Sequence, residues 1–294
     1  MMDGASKTQF FESALFESLG EELQVKDIEF KSGGCINNAV RLITDKGSFF
    51  IKWNDHGEPD MFEKEFRGLE LLRKAGSGHV PQPFNHGQVG ESRYLLTEYL
   101  DSYRKDNRYW ENLGHNLALL HRQTSDQPGL NFNNYIGRLP QNNEPLPDWV
   151  DFFIERRLKV QAGLARYNGL VDDAFMNRFK KIYPKLSEIL TDESHSLLHG
   201  DLWSGNVMTG PDGEGWLIDP AVYYGNREVD LGFTRLFGGF DQIFYDAYEE
   251  SYPTITGLSE RIDIYNLYPL LVHVNLFGLS YLSGVERIIT KYIE

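Results

Sequence analysis

Asp201, Asn206 and Asp219 are the residues whose types and spacing most directly suggest chemistry in this chain. Asp201 stands in the run His199-Gly200-Asp201-Leu202-Trp203-Ser204-Gly205-Asn206, five positions before the asparagine. A carboxylate there can take the proton of an attacking hydroxyl held within hydrogen-bond reach. The side-chain oxygen of Asn206 is a hard donor of the kind magnesium takes. Thirteen residues beyond Asn206, the apolar pair Leu217-Ile218 ends in Asp219, a second carboxylate able to hold a metal ion bridging phosphates. Taken singly, Asp201 would only cap a turn and Asp219 would only end a strand. In this order and spacing they form the base-and-metal half of a phosphoryl-transfer site.

The complementary half is expected near the start. Ser32-Gly33-Gly34-Cys35-Ile36-Asn37-Asn38 lies between two strand-like segments. Glycine at Gly33 and Gly34 lets main-chain N–H groups approach phosphate oxygens with no Cβ in the way. Phe50-Ile51-Lys52 comes next, with Lys52 eighteen residues after Gly34, on the next strand. A lysine at that place pairs with the α- and β-phosphates of ATP. It needs a glutamate on the following helix to hold it; Glu63 and Glu65 both qualify, and Glu65 is the better placed. Backbone groups of Glu98, Tyr99 and Leu100, at the end of a last strand, are candidates for the adenine.

The elements that must position these groups fall into two blocks. Ala39 to Thr44, Ser48 to Trp53 and Tyr94 to Leu100 read as strands, with Asp45-Lys46-Gly47 as a turn. Lys7 to Leu23 reads as a short amphipathic helix. Met61 to Lys74 has helical spacing, with Phe62, Phe66, Leu69 and Leu72 on one face, and Val80-Pro81-Gln82-Pro83 breaks it. After Asp101 the pattern turns helical: Tyr109 to Arg122, Trp149 to Arg166, Asp172 to Leu190, and most of the chain from Asp230. Leu197 to Met208 and Trp216 to Asp219 read as short strands around a polar loop. The expected division is 1–99 and 100–294, with a hinge near Glu98 to Asp101.

Composition narrows the partners. Against 43 acidic residues there are 29 Lys and Arg, a net charge of −14, which repels nucleic acid and anionic membrane and tolerates a cationic substrate. An anionic cofactor such as ATP then needs local positive charge, backbone N–H groups and Mg2+. The stretch from Ile264 to Val285 carries no charged residue, yet Asn266, Pro269, His273, Asn275, Ser280 and Ser283 interrupt it. It is expected to be a buried helix, not a membrane span. A start without a cationic and apolar leader, together with a single cysteine, points to a cytoplasmic protein without intramolecular disulfides.

With these residues in place, the sequence resembles the fructosamine kinase (ketosamine-3-kinase) family, within the aminoglycoside-phosphotransferase-like and protein-kinase-like superfamily. The resemblance rests on His199 to Asn206, on Ile218-Asp219-Pro220-Ala221-Val222-Tyr223-Tyr224-Gly225, and on Arg227-Glu228-Val229-Asp230-Leu231 running on to Phe237-Gly238-Gly239-Phe240. Leu267 to His273 and Gly33 to Asn37 match as well. It implies an α+β, bilobal protein-kinase-like fold, with a β-rich N-lobe containing one main helix and a mostly helical C-lobe. It also implies ATP-dependent phosphorylation of the 3-hydroxyl of a ketoamine, free or protein-bound, whose 3-phosphate then eliminates to release the amine. By position, Asp201 is the base, Asn206 and Asp219 bind magnesium, Lys52 binds phosphate, and Asp230 steadies the catalytic-loop backbone. Gly200 in place of the arginine of His-Arg-Asp, and Pro220-Ala221 in place of Phe-Gly, depart from protein kinases.

Other residues have simpler readings beside the chemical one. Trp203, two residues after the base, either stacks on a sugar ring or packs. Tyr223, Tyr224, His121 and His199 are read as structural. No His-Glu-x-x-His pattern supports zinc, and Ser204 lies in no Gly-x-Ser-x-Gly elbow. Cys35, inside the Gly-rich loop, is a candidate redox site that would join two monomers into a homodimer. The competing functional readings are an aminoglycoside- or choline-type kinase of the same fold and a nucleotide-binding pseudokinase.

Overall fold

The computed structural model describes residues 4–30, 37–76, 79–191 and 193–293, with main chain alone for residues 4–6. In chain order the elements are α1 (Gly4–Leu19), β1 (Val25–Phe30), β2 (Asn38–Thr44), β3 (Gly47–Asn54), α2 (Met61–Lys74), β4 (Pro83–Val89) and β5 (Ser92–Glu98). Then come α3 (Tyr109–His121), β6 (Thr124–Ser125), β7 (Asn134–Ile136), β8 (Leu139–Gln141) and α4 (Trp149–Phe152). A π-helical turn (Phe153–Leu158) leads into α5 (Lys159–Tyr167), α6 (Asp173–Phe179) and α7 (Tyr183–Ile189). The remainder is β9 (His195–Leu198), β10 (Val207–Thr209), β11 (Gly215–Leu217), β12 (Tyr223–Gly225), α8 (Glu228–Leu236), α9 (Gln242–Ser251), α10 (Leu258–Phe277) and α11 (Leu282–Ile293).

Two compact units result: Met1–Tyr109 with Met208–Asp219, and Trp110–Val207 with Pro220–Glu294. The segment that carries Asp219 therefore packs with the early part of the chain.

In the first unit an antiparallel sheet runs in the order β1-β2-β3-β5-β4. Strand side chains alternate between faces, and burial follows that alternation. Val40, Leu42, Ile51, Trp53, Tyr94 and Leu96 point to one face and pack with Phe10, Phe11, Ala14 and Leu15 of α1. Each large apolar side chain so buried contributes roughly 2 kcal/mol as an upper estimate. Helix α1 ends at Gly20, whose positive φ lets its N–H close on the carbonyl of Phe16 at 2.8 Å. With Ile51 and Trp53 turned toward α1, Lys52 must face the other way. Ala39, directly paired with Lys52, and Arg41, two residues along, share that opposite face.

The second unit is mostly helical, with the small antiparallel sheet β12-β9-β6 and the hairpin β7–β8. Helix α10 is buried along most of its length and stops at Gly278, with φ of 94°. Among the described residues no helix is long and apolar enough to cross a membrane. The expected single helix from Asp172 to Leu190 is two helices, α6 and α7, split at residues 180–182. The last strand of the sheet ends at Glu98, not Leu100, and β4 occupies a region read only as a break after Val80.

Candidate active site

In the first unit, the strand register that turns Lys52 away from α1 delivers it to two carboxylates. Its Nζ donates to Glu65 Oε1 at 2.7 Å and to Asp219 Oδ1 at 2.5 Å. Burial alone would pull the lysine's pKa down, but Asp219 and Glu65 more than offset it, so the ammonium is held well above its ordinary value. Burial pushes the Glu65 carboxyl up; Lys52 opposes this and the Asp219 charge adds to it. Glu63, the alternative partner, instead accepts from Lys64 and Arg67 on its own helix.

Asp219 reaches Lys52 from a strained place. Its φ of 54° is the one positive value outside glycine among the described residues, and such a conformation costs on the order of 1 kcal/mol or more. Strand β11 just before it is tied back to the first unit by Leu217 N–H donating to the carbonyl of His79 at 2.8 Å.

At the expected hinge, Glu98 is already engaged on two sides. Its N–H donates to the carbonyl of Gln82 at 2.8 Å, and its carboxylate accepts from the N–H of Gln82 at 3.1 Å. The ring of Tyr99 lies under the Arg41 guanidinium at 4.3 Å, and Arg41 also reaches Asp101 at 3.5 Å and Glu29 at 3.6 Å. Leu100 is buried. Arg41 carries no motif signal; only the strand register and the fold bring β2 beside the hinge. Gly33, Gly34 and Cys35 lie outside the described residues.

In the second unit, the loop of Asp201 is held from beneath by Asp230. One carboxylate oxygen of Asp230 accepts from the N–H of His199 at 2.7 Å and the other from Gly200 at 3.0 Å. His121 Nε2 lies 3.2 Å from Asp230, and its Nδ1 lies 2.8 Å from the hydroxyl of Tyr248. Burial lowers the His121 pKa against the opposing pull of Asp230. A neutral ring facing a carboxylate must carry its proton on Nε2, so Tyr248 donates to Nδ1. His199 Nδ1 accepts from the N–H of Asp201 at 3.3 Å. Both histidines are buried and hold the loop by hydrogen bonds.

Gly200 is required by space. Its φ is +82°, and a Cβ there would sit 2.1 Å from the carbonyl oxygen of Ala221. That crowding is the physical counterpart of the missing arginine. Gly205 lies against the indole of Trp203, where a Cβ would meet the ring at 2.3 Å. Trp203 keeps 36% of its surface exposed, whereas Tyr223 is buried against Arg157, whose guanidinium lies 4.0 Å from the ring centre.

Asn206 is oriented by Asp201. Its Nδ2 donates to the carbonyl of Asp201 at 2.8 Å and to Asp201 Oδ2 at 3.0 Å. With the nitrogen so engaged, the side-chain oxygen is left as the donor for a cation. Among the described residues, no three His, Cys, Asp or Glu side chains are grouped to hold a metal ion. The amide oxygen of Asn206 in the second unit and the carboxylate of Asp219 in the first are each, taken separately, hard oxygen donors of the kind magnesium takes.

Known proteins resemble this chain along nearly its whole length. The pattern of the family described as fructosamine kinase matches residues 8–294. A protein of Synechocystis sp. named as a probable ketoamine kinase is 37% identical over 282 residues, covering 95% of this chain and 94% of that protein. The chloroplastic protein-ribulosamine 3-kinase of Arabidopsis thaliana is 37% identical over 280 residues, covering 94% and 85%. A solved structure from Haemophilus somnus, provisionally named fructosamine-3-kinase, superposes with a TM-score of 0.88 at 29% identity, covering 97% of each chain. An aminoglycoside phosphotransferase solved with AMP-PNP and hygromycin B has a TM-score of 0.63 at 15% identity, covering 95% of this chain and 97% of that one, a likeness of fold alone. Matched along nearly its whole length, and with a bilobal protein-kinase-like architecture, the chain belongs to the fructosamine kinase family.

Proposed function

We propose that this protein transfers the γ-phosphoryl group of ATP to the 3-hydroxyl of a ketoamine, a sugar joined to an amine by glycation. The observation that carries the reading is the pairing of Asn206 with Asp201, which fixes the base and leaves an amide oxygen for a metal. Relatives named ketoamine kinase and protein-ribulosamine 3-kinase support the choice of acceptor.

Asp201 accepts the hydroxyl proton as the new O–P bond forms and the bond from phosphorus to the ADP oxygen breaks. The Lys52 ammonium, held charged by Glu65 and Asp219, binds the α- and β-phosphates. Asn206 Oδ1 and Asp219 would hold magnesium, which neutralises charge on the phosphate oxygens when bound. The carbonyl of Glu98 and the main chain of Tyr99 and Leu100 serve the adenine, and Gly33 and Gly34 the phosphates. Trp203 offers an indole face to the sugar. The 3-phosphorylated adduct loses phosphate by elimination, and water then hydrolyses the imine that results to free the amine, so the reaction removes the glycation adduct. A reducing cytoplasm, which supplies ATP and suits the single Cys35, is the setting this chemistry favours.

Incubation with ATP, magnesium and a panel of ketoamines and aminoglycosides, read by mass spectrometry, tests the acceptor. Phosphorylation at the sugar 3-position of a ketoamine is expected. Phosphorylated aminoglycosides with untouched ketoamines would overturn the reading. Asp201→Asn should lower kcat by about 10²- to 10⁴-fold.

A further inference from the structure

From Trp203, two residues after Asp201, an unbroken run of aromatic rings leads away along the second unit. The Trp203 indole stands edge-on to Phe237 at 6.3 Å and 80°. Phe237 lies 4.8 Å from the imidazole of His273, which in turn lies 4.9 Å from Tyr281 and 5.4 Å from Phe277. The rings come from four places in the chain: the loop of Asp201, the residue just past α8, the last two turns of α10, and the turn after it. Phe237 and Phe277 remain 40% and 49% exposed. A folding core would bury such rings, and an isolated exposed phenylalanine would not form a chain.

The run is fixed to the loop of the base. Gly238 and Gly239, with φ of 71° and 94°, turn the chain back after Phe237, and a Cβ on Gly239 would sit 2.6 Å from Ser204 Cβ. Of these five side chains only His273 can carry a positive charge. The carbonyl of Pro269 can only accept, so His273 Nδ1 donates to it at 2.8 Å. Burial lowers the His273 pKa, keeping the ring neutral at physiological pH.

We propose that this aromatic run is the amine-side subsite of the acceptor, holding the protonated secondary ammonium of a ketoamine and its first methylenes. The proposal rests on the ketoamine reading above and assigns the second half of that substrate. In a ketoamine four single bonds separate the 3-hydroxyl oxygen from the nitrogen, a span of roughly 3–5 Å. In the proposed pose a hydroxyl at Asp201 leaves the ammonium on the side of Trp203, whose N–H donates to the carbonyl of Asp201 at 3.2 Å, with Phe237 next in the run. Aromatic faces attract a cation through their quadrupole, and a neutral imidazole adds a ring without adding repulsion. The methylenes beyond the nitrogen gain apolar cover from Phe277 and Tyr281.

Two acceptors with the same sugar test this: a 1-alkylamino-1-deoxyfructose, charged at neutral pH, and the 1-O-alkyl ether of fructose, which is not. The wild-type protein should favour the ammonium acceptor in kcat/KM by tenfold or more. Phe237→Leu and Phe277→Leu should each cut that preference by about three- to tenfold through KM for the acceptor, with KM for ATP unmoved. Phe237→Tyr should restore it. Thermal unfolding of each variant identifies any loss of fold. Equal losses on both acceptors, or an unchanged preference in both leucine variants, would show that the rings only pack and would overturn the subsite. A wild-type protein that phosphorylates neither sugar would overturn the ketoamine reading, and the subsite with it. One that phosphorylates both equally would overturn the subsite alone.

Discussion

Asn206 donates twice to Asp201, once to its main-chain oxygen at 2.8 Å and once to its carboxylate at 3.0 Å. Both donations act on the residue assigned as base. The first closes the loop on itself, and the second fixes the direction in which the carboxylate points.

Replacing Asn206 with Ala should therefore damage more than metal binding. A hydrogen bond to a charged group contributes about 1.5–3 kcal/mol, so kcat should fall roughly ten- to hundredfold even at saturating magnesium. Steady-state rates across a magnesium titration check this. A variant restored to full kcat by excess magnesium would reduce the role of Asn206 to metal affinity.

Lys52→Met should leave Glu65 buried without its cation, a loss of roughly 3 kcal/mol. The pH dependence has a definite sign. With burial unopposed, the folded-state pKa of Glu65 rises above its ordinary 4.5, so the folded protein favours the protonated acid. The penalty is then small below that value and grows as pH rises above it. Thermal unfolding of Lys52→Met should worsen from pH 4.5 to 7, while Lys52→Met with Glu65→Gln should stay nearly flat. Parallel curves would show that Glu65 does not depend on Lys52.

Histidines should make the fold acid-sensitive. Burial lowers the pKa of His86, His121 and His273 from 6.5. The unfolded chain therefore takes up protons that the folded chain refuses, and stability falls as pH drops through 6.5. Each histidine contributes at most about 1.4 kcal/mol per pH unit. In His121→Gln the decline in Tm between pH 6.5 and 5 should be shallower than in wild type, though the Tm at pH 7.5 is lower because Asp230 and Tyr248 lose their partner.

Gly200→Ala should fold poorly. The added methyl meets the carbonyl of Ala221 at 2.1 Å, and the positive φ adds strain. Asp201 adjoins this position, so a chain that does fold should have a lower kcat. Soluble yield and Tm against wild type measure the first effect; a variant with wild-type values would mean that the loop moves aside.

The range of each interaction decided how much was legible in the chain. Helix α2 was expected at Met61–Lys74 and forms over those residues, because its apolar spacing is a local signal. The Asp201 loop was legible because its chemistry is packed into eight consecutive positions. Strand β4 was not, since Pro81 and Pro83 read as a break and only pairing with β5 makes a strand of Pro83–Val89. Glu63 and Glu65 could not be separated by sequence, because two residues along a helix is a question of which face meets Lys52. Arg41 gave no signal at all: its meeting with Tyr99 depends on how β2 and the end of β5 lie in the folded first unit.

The π-helical turn at Phe153–Leu158 has a consequence for how this chain can change length. A regular α-helix needs one residue fewer to cover the same rise. Deleting a residue there would mend the helix and leave its later residues facing as they do. A deletion in α4 just before it has no such slack and would rotate the residues that follow by about 100°. Arg157 would swing away from Tyr223, Tyr268 and the side chain of Asn143. Tyr223 pairs with Leu198, the neighbour of His199, so a one-residue deletion in α4, more than forty positions upstream of Asp201, would register as a catalytic lesion.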